Sequence, residues 1–424
     1  MDSNFNNILF INNSDIAGGA ALGTYRLHEE LIRRGFGSKV LVGFSKSNDR
    51  DVSVLPKTHR LVGPLAARAG SLLSIQYLQN LDALHIPKRP EFRDADIVNL
   101  HCTHNRQFNP FVLPRLTHLK PTIWKLSDMW PFTGHCAYSF DCERWKSGCG
   151  NCPYLRTYPG LKHDTTRTQW KIKQWIYHRS VVDLIVPSIW MGDLVKQSMM
   201  SRFAVHHIPN GIDTTTFYPI NKRSCRAALG LPQDKSIVLI GSQSTQIDRK
   251  GGDLIVRIIN GLSEACREEI AILTFGQAKP RFCEAIGISV YGMGYIESEA
   301  IKASIYSAAD LMLFTTRADN SPLTILESLA CGTPCLSFDV GGVKELICSE
   351  ENGYVVPAFD VEQLTAQLER LLSDPAERDE LGFKARKRIL KNHKIEQQAD
   401  RYLEVYAEAQ AKHNRNKKLH NESL

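Results

Sequence analysis

Short apolar runs alternate along this chain with stretches of helical periodicity, and the alternation occurs in two series. In the first, the runs at 7–12, 38–43, 96–100, 122–126 and 182–187 are bounded by polar or glycine-rich turns, the mark of buried strands. Between them, 21–34, 162–179 and 188–200 place apolar residues at helical spacing and predict helices. The second series has strand-like runs at 236–241, 270–275, 310–314 and 335–338, with helices from Asp253, at 301–309 and from Leu323. Three more helical patterns finish the chain, the last at 396–411. Strand and helix in strict alternation predict an α/β protein built on parallel, doubly wound sheets of Rossmann-like type.

A chain of 424 residues is too long for one compact core and fits two domains. The pattern places them at 1–205 and 206–395, with a terminal helix and basic tail at 396–424 that is expected to fray from Lys412. No apolar run approaches the roughly 18 to 20 residues of a bilayer span, and the polar start lacks the regions of a signal peptide. A cytoplasmic protein is the expectation. Eleven cysteines, several in apolar segments, argue against a secreted disulfide framework. The formal charge of +7 is mild, and with no basic recognition helix or nucleic-acid motif it does not point to nucleic acid.

Candidate chemistry concentrates at 315–347, TTRADNSPLTILESLACGTPCLSFDVGGVKELI. Asn320-Ser321-Pro322 reads as a cap followed by a first-turn proline, so a helix start faces the carboxyl end of the strand at 310–314. Free backbone N–H groups and the positive helix end gather there, which suits phosphate or sugar oxygens. Asp319 and Glu327 frame the turn with seven residues between them, Gly-Thr-Pro closes the helix, and Gly341-Gly342 follows the next strand. This string resembles the donor-binding signature of family-4 glycosyltransferases, retaining enzymes of the GT-B fold. The resemblance implies that Glu327 holds the ribose of a nucleotide sugar and Asp319 the transferred sugar. Asp319 departs from the glutamate usual in the family.

Other stretches extend the resemblance over nearly the whole chain. Gly18-Gly19 joins the first strand to its helix, and in the family this loop faces the cleft and touches phosphate or acceptor. Pro209-Asn210-Gly211-Ile212-Asp213 is another family hallmark, at the crossing between domains. Arg249-Lys250-Gly251-Gly252 carries the lysine that binds diphosphate, while Ser242 stands where relatives have an arginine, so Arg249 is the candidate for the second charge. Ser127 likewise stands where many relatives have a sugar-contacting histidine. His101, at the end of the strand at 96–100, is a reasonable cleft residue and equally a structural hydrogen bonder. The segment at 55–86 interleaves basic and apolar residues and reads either as a packed surface helix or as a contact with the inner membrane.

Cys136, Cys142, Cys149 and Cys152 lie within 17 residues and end in Cys-x-x-Cys, a spacing compatible with structural zinc, with paired disulfides or with free thiols. This insert resembles those of bacterial exopolysaccharide glycosyltransferases, including the colanic acid type. The resemblance implies two Rossmann-like domains facing a cleft, a C-terminal helix crossing back, and transfer of a hexosyl group from a UDP- or GDP-sugar to a glycan or lipid-linked acceptor. Its catalytic candidates are Asp319, Glu327 and Lys250. The donor-binding set is Gly18, Gly19, Arg249, Lys250, Ser321, Leu323, Thr324 and Glu327, and no catalytic metal is expected. The alternative is a nucleotide-sugar-binding module that has lost catalysis.

Overall fold

The computed structural model describes residues 5–56, 68, 70, 72, 74–77, 80–104, 108–244, 248–277 and 280–422. The chain forms two compact units, Met1–Pro209 with Gln398–Leu424, and Asn210–Gln397. The first carries strands β1 (Asn7–Ser14), β2 (Gly37–Phe44), β3 (Val52–Val54), β4 (Ile97–Leu100), β5 (Thr122–Lys125), β6 (Asp183–Val186) and β7 (Val205–His207). They make one parallel sheet in the order β3-β2-β1-β4-β5-β6-β7. Strand order reverses between β1 and β4, and ligands of open α/β sheets gather at the carboxyl ends of such neighbours.

Alternate residues of β1 serve opposite faces, as the period of a strand requires. Ile8 and Phe10 pack with Leu27 and Leu31 of the helix Gly19–Arg33 and with Tyr402 and Tyr406 of the helix Ile395–Glu422. Leu9 and Ile11 join Val98, Leu100, Trp124 and Leu184 on the other face. The strands β4, β5 and β6 are buried at every position, so their apolar runs show no alternation.

Three expectations from the sequence need correction. The helix expected at 162–179 is confined to Thr166–Tyr177, because Asp164 accepts hydrogen bonds from the N–H groups of Cys152 and Thr166 and fixes the preceding chain as a loop. The tail expected to fray from Lys412 instead continues as helix to Glu422, anchored by Lys412 Nζ at 2.7 Å from Asp183 Oδ1 and by the Asn99 amide on the Tyr406 hydroxyl. The third correction, at Asn320, belongs to the site below. Of the segment at 55–86, residues 57–67, 69, 71, 73, 78 and 79 lie outside the described residues. Among the described residues no helix is long and apolar enough to cross a membrane.

The second unit holds β8 (Ser236–Ser244), β9 (Ile270–Gln277), β10 (Val290–Gly292), β11 (Leu311–Phe314), β12 (Cys335–Phe338) and β13 (Gly353–Val356). These too are all parallel, in the order β10-β9-β8-β11-β12-β13, with the reversal between β8 and β11. At the amino end of β11, Asp310 accepts from Lys222 Nζ at 2.8 Å, from the Arg226 guanidinium and from the Ile237 N–H at 2.6 Å. These contacts tie the helix Lys222–Leu229 to β8 and β11.

Burial raises the Asp310 carboxyl value, but Lys222, the Ile237 N–H and Arg226 outweigh it and hold the group below the usual carboxylate range. A depressed folded value means that the contribution to stability is complete above the unfolded value of about 3.9 and is lost as pH falls through the lower folded value. Arg226 is only 7% exposed, so Asp310→Ala leaves a buried cation without its partner. Urea denaturation at pH 7 should show a loss of about 3–5 kcal/mol for that variant, and the difference from wild type should shrink on acidification below about pH 4.

Candidate functional site

Two loops of the second unit are laced together at the carboxyl ends of adjacent strands. Beyond β8, residues 248–251 lead into the helix Gly252–Asn260; beyond β11, residues 315–322 lead into the helix Leu323–Ala330. Thr315 Oγ1 donates to the Gly251 carbonyl at 3.1 Å, Thr316 Oγ1 to the Arg249 carbonyl at 3.0 Å, and the Arg317 N–H to the same carbonyl at 2.7 Å. Gly251 has φ +68°, and a Cβ there would stand 2.1 Å from the Thr315 carbonyl oxygen. Only glycine allows the two loops to approach so closely.

That lacing converges three of the residues singled out in the sequence on one carboxylate oxygen. Lys250 Nζ lies 2.7 Å from Asp319 Oδ2, and Arg249 Nη1 lies 3.1 Å from the same atom while also donating to the Ala318 carbonyl at 2.6 Å. The other oxygen, Oδ1, accepts the Asn320 N–H at 3.0 Å. Burial raises the Asp319 value, yet the charges of Lys250 and Arg249 outweigh it and hold the carboxyl below its usual range. Burial pushes Lys250 below its ordinary value, with Asp319 opposing and Arg249 reinforcing the shift. The carboxylate therefore stays ionised at neutral pH, and with both partners protonated the trio carries one positive charge in excess. The Lys250, Asp319 and Arg249 side chains are 18%, 13% and 26% exposed, so this charge is only partly screened by water.

Behind Asp319 the second glycine loop closes tightly. Gly341 has φ +58°, and a Cβ at that position would lie 2.0 Å from the Asp319 carbonyl oxygen, which also accepts the Gly342 N–H at 3.1 Å. The turn ahead of the helix differs from its expected form. Asn320 is not the cap: Pro322 occupies the N-cap position, and no side chain caps the helix. The Asp319 carboxylate takes the Asn320 N–H, and the Asn210 amide clasps Ser321 at its carbonyl (3.0 Å) and hydroxyl (3.1 Å), so the turn extends by two residues. The uncapped first turn, which includes Leu323 and Thr324, presents backbone N–H groups and the positive end of the helix.

Glu327 lies on the same helix and is 3% exposed. Its Oε2 accepts a hydrogen bond of 2.8 Å from the fully buried Tyr306 hydroxyl. The sequence reading missed this tyrosine, whose only signal was its place in the helix that precedes β11. It placed Asn210 in the Pro-Asn-Gly-Ile-Asp hallmark without giving its side chain a role, although an asparagine amide can bond both backbone and hydroxyl.

The first unit contains the remaining candidates. Gly18 adopts φ 92° and ψ 161°, a conformation open to glycine, as the N-cap of the helix Gly19–Arg33; no side chain caps that helix. The space where a Cβ of Gly19 would stand is open to 4 Å. His101 is buried, its Nδ1 is 2.7 Å from Thr24 Oγ1, and burial, with Lys125 nearby, holds it well below the usual histidine value. It is a neutral internal hydrogen bonder.

No disulfide joins Cys136, Cys142, Cys149 and Cys152 in this structure. Burial pushes Cys136 up to about 12 and Cys149 up to about 11. The Gly134 N–H donates to Cys149 Sγ at 3.2 Å, and His135 Nε2 lies 3.3 Å from Cys152 Sγ. Among the described residues, the group of metal-ligand type whose donor atoms all lie within 4.8 Å of one another is a different one, Cys102, His104 and Asp128.

Comparison with known proteins agrees with this geometry. Residues 226–388, which include every second-unit site residue except Asn210, match the family Glycosyl transferases group 1. A relative from Escherichia coli named colanic acid biosynthesis glycosyl transferase WcaC is 26% identical over 377 residues, covering 84% of this chain and 89% of the relative. Two D-inositol 3-phosphate glycosyltransferases, from Xylanimonas cellulosilytica and Saccharomonospora viridis, are each 26% identical but match over only about half of their own length. Among solved structures, sucrose-phosphate synthase from Thermosynechococcus elongatus superposes with a TM-score of 0.69 at 19% identity, over 95% of this chain and 99% of that one. Anabaena HepE in complex with UDP-glucose gives 0.65 at 14% identity, over 95% and 99%. The chain is thus a glycosyltransferase of GT-B fold, and its second unit carries the group 1 domain.

Proposed function

We propose that this glycosyltransferase moves a sugar from a nucleoside diphosphate sugar to a glycan or lipid-linked acceptor during cell-surface polysaccharide synthesis, with retention at the anomeric carbon. The observation that carries the proposal is the convergence of Lys250 and Arg249 on Asp319 beside an uncapped helix start. A trio with one excess positive charge, partly withdrawn from water, favours an anion with several negative oxygens. The diphosphate of a nucleotide sugar is such an anion.

In this reading Glu327, oriented by Tyr306, accepts the ribose hydroxyls, and Asp319 orients the transferred sugar while holding Lys250 and Arg249 near the diphosphate. The bond from the anomeric carbon to the diphosphate oxygen breaks, and its electron pair goes to the diphosphate. Lys250, Arg249 and the N–H groups at Ser321, Leu323 and Thr324 stabilise the charge that develops there. The acceptor hydroxyl bonds to the carbon on the same face, and its proton passes to the departing phosphate. A UDP donor is supported by the neighbour solved with UDP-glucose, and a polysaccharide acceptor by the name of the Escherichia coli relative. Gly18 and Gly19, with no side chain in the way, suit close approach of phosphate or acceptor to the first unit. A cytoplasmic location, peripheral to the inner membrane, would bring the enzyme to a lipid-linked acceptor.

The test is a turnover screen of the purified protein against UDP- and GDP-sugars with a lipid-linked acceptor extract. Glycosylated product from one donor is the expected result; donor binding with no product under any acceptor would overturn the assignment in favour of a binding module. With the productive donor, Lys250→Ala should lower kcat/KM by about 10²–10³-fold, the scale of losing one preorganised charge at the reacting centre, while thermal unfolding moves little. Undiminished turnover in that variant would remove Lys250 from the mechanism. Gly341→Ala pushes a methyl group against the Asp319 backbone, so kinetics should show a loss of roughly 10²-fold, with circular dichroism confirming a folded protein.

A further inference from the structure

We infer that Cys102, His104 and Asp128 form a binding site for a divalent cation of the zinc class in the first unit. The three residues sit on the loops that leave the carboxyl ends of β4 and β5, neighbouring strands of the sheet. His104 Nε2 lies 2.7 Å from Asp128 Oδ2 and 3.4 Å from Cys102 Sγ, and the sulfur is farther from Nδ1, at 3.8 Å. The carboxylate oxygen is in hydrogen-bonding range of Nε2, while the sulfur lies beside the ring, within 3.8 Å of both nitrogens. The thiol, imidazole and carboxylate donor atoms all lie within 4.8 Å of one another, the clustering that ligands of a common centre require.

The surroundings hold the three donors in place. The Asp128 carboxylate is steered by the Trp130 N–H on Oδ1 at 2.9 Å, and the Cys102 backbone is pinned by Asn12 Oδ1 at 3.2 Å. The His104 side chain is 5% exposed, with the rings of Trp130 and Tyr158 edge-on at centroid distances of 5.6 and 5.7 Å. Thiolate, imidazole and carboxylate together select a borderline-soft ion such as Zn²⁺ or Co²⁺ over Mg²⁺ or Ca²⁺. With bonds of about 2.3 Å to sulfur and about 2.0–2.1 Å to nitrogen and oxygen, tetrahedral ligation requires S···N near 3.5 Å and N···O near 3.3 Å. The sulfur stands at the required separation from Nε2 but beside the ring, so metal binding calls for a turn of the Cys102 side chain towards the Nε2 axis and a withdrawal of Asp128 by about half an ångström. Three protein ligands leave the fourth position to water or to an oxygen of a bound molecule. The ion would tie the β4 and β5 loops together.

The test is metal analysis of the full-length protein after equilibration with zinc and removal of the excess, alongside Cys102→Ser and Cys149→Ser. The site predicts that Cys102→Ser loses one equivalent of zinc relative to wild type. Cys149→Ser, which reports on the four-cysteine loop, should keep that equivalent. Cobalt in place of zinc should give a near-ultraviolet thiolate-to-metal band that is weaker in Cys102→Ser than in wild type and in step with the lost equivalent of metal. Since a variant can misfold, a second measurement uses the intact wild-type protein: added zinc should slow alkylation of Cys102 by iodoacetamide by more than tenfold, followed by peptide mass spectrometry. Equal zinc content in wild type and Cys102→Ser, or alkylation at the same rate with and without zinc, would overturn the inference and leave a thiol hydrogen-bonded to His104.

Discussion

The second unit depends on one electrostatic constraint, the gathering of Lys250 and Arg249 on a single oxygen of Asp319. Two cations drawn partly out of water repel each other and lose hydration, and neither would stay without a counter-ion. Asp319 supplies that counter-ion and remains ionised because the same cations favour its charged form. The excess positive charge is then fixed at a known place before any ligand arrives. Such preorganisation lets a site stabilise charge that develops during bond cleavage without reorganising to do so.

Holding that constraint is a matter of backbone rather than of the charged side chains themselves. Gly251 lets the loop after β8 lie against Thr315, and Gly341 lets a third loop lie against the carbonyl of Asp319. The parallel sheet sets these loops side by side, since β8, β11 and β12 are neighbours in strand order. The helix Leu323–Ala330 then carries Glu327 inward, where Tyr306 fixes it. Each step follows from the one before it: strand order places the loops, glycines let them touch, and the contact gathers the charges.

Much of this was legible in the residues. Strands buried on both faces announce themselves as unbroken apolar runs, and β4, β5, β11 and β12 are found within a residue of their expected ends. Lys250, Asp319 and Glu327 were identified through a motif, which names positions without giving contacts. The pairing of Lys250 with Asp319 spans 69 residues and depends on which loops the fold brings together, so no local pattern could show it. Arg249 reached the candidate set because a second charge was missing at Ser242, an argument about electrostatic need. Helix ends were less legible. Asn320 has the chemistry of a cap, but its own N–H is taken by Asp319, and Lys412 looked solvated because its partner Asp183 lies 229 residues away. The same limit hid the meeting of His104 with Asp128, although the alternation of strand and helix made β4 and β5 candidates for neighbours.

The most direct measurement of the central claim is a double-mutant cycle on nucleoside diphosphate affinity. Calorimetric titration of UDP and GDP into wild type, Lys250→Ala, Asp319→Asn and the double variant separates the effect of each residue from their coupling. If Asp319 holds Lys250 in place for the diphosphate, the loss caused by Lys250→Ala should change several-fold once Asp319 is replaced. Losses that simply multiply would mean that the two residues act independently, and would contradict the account.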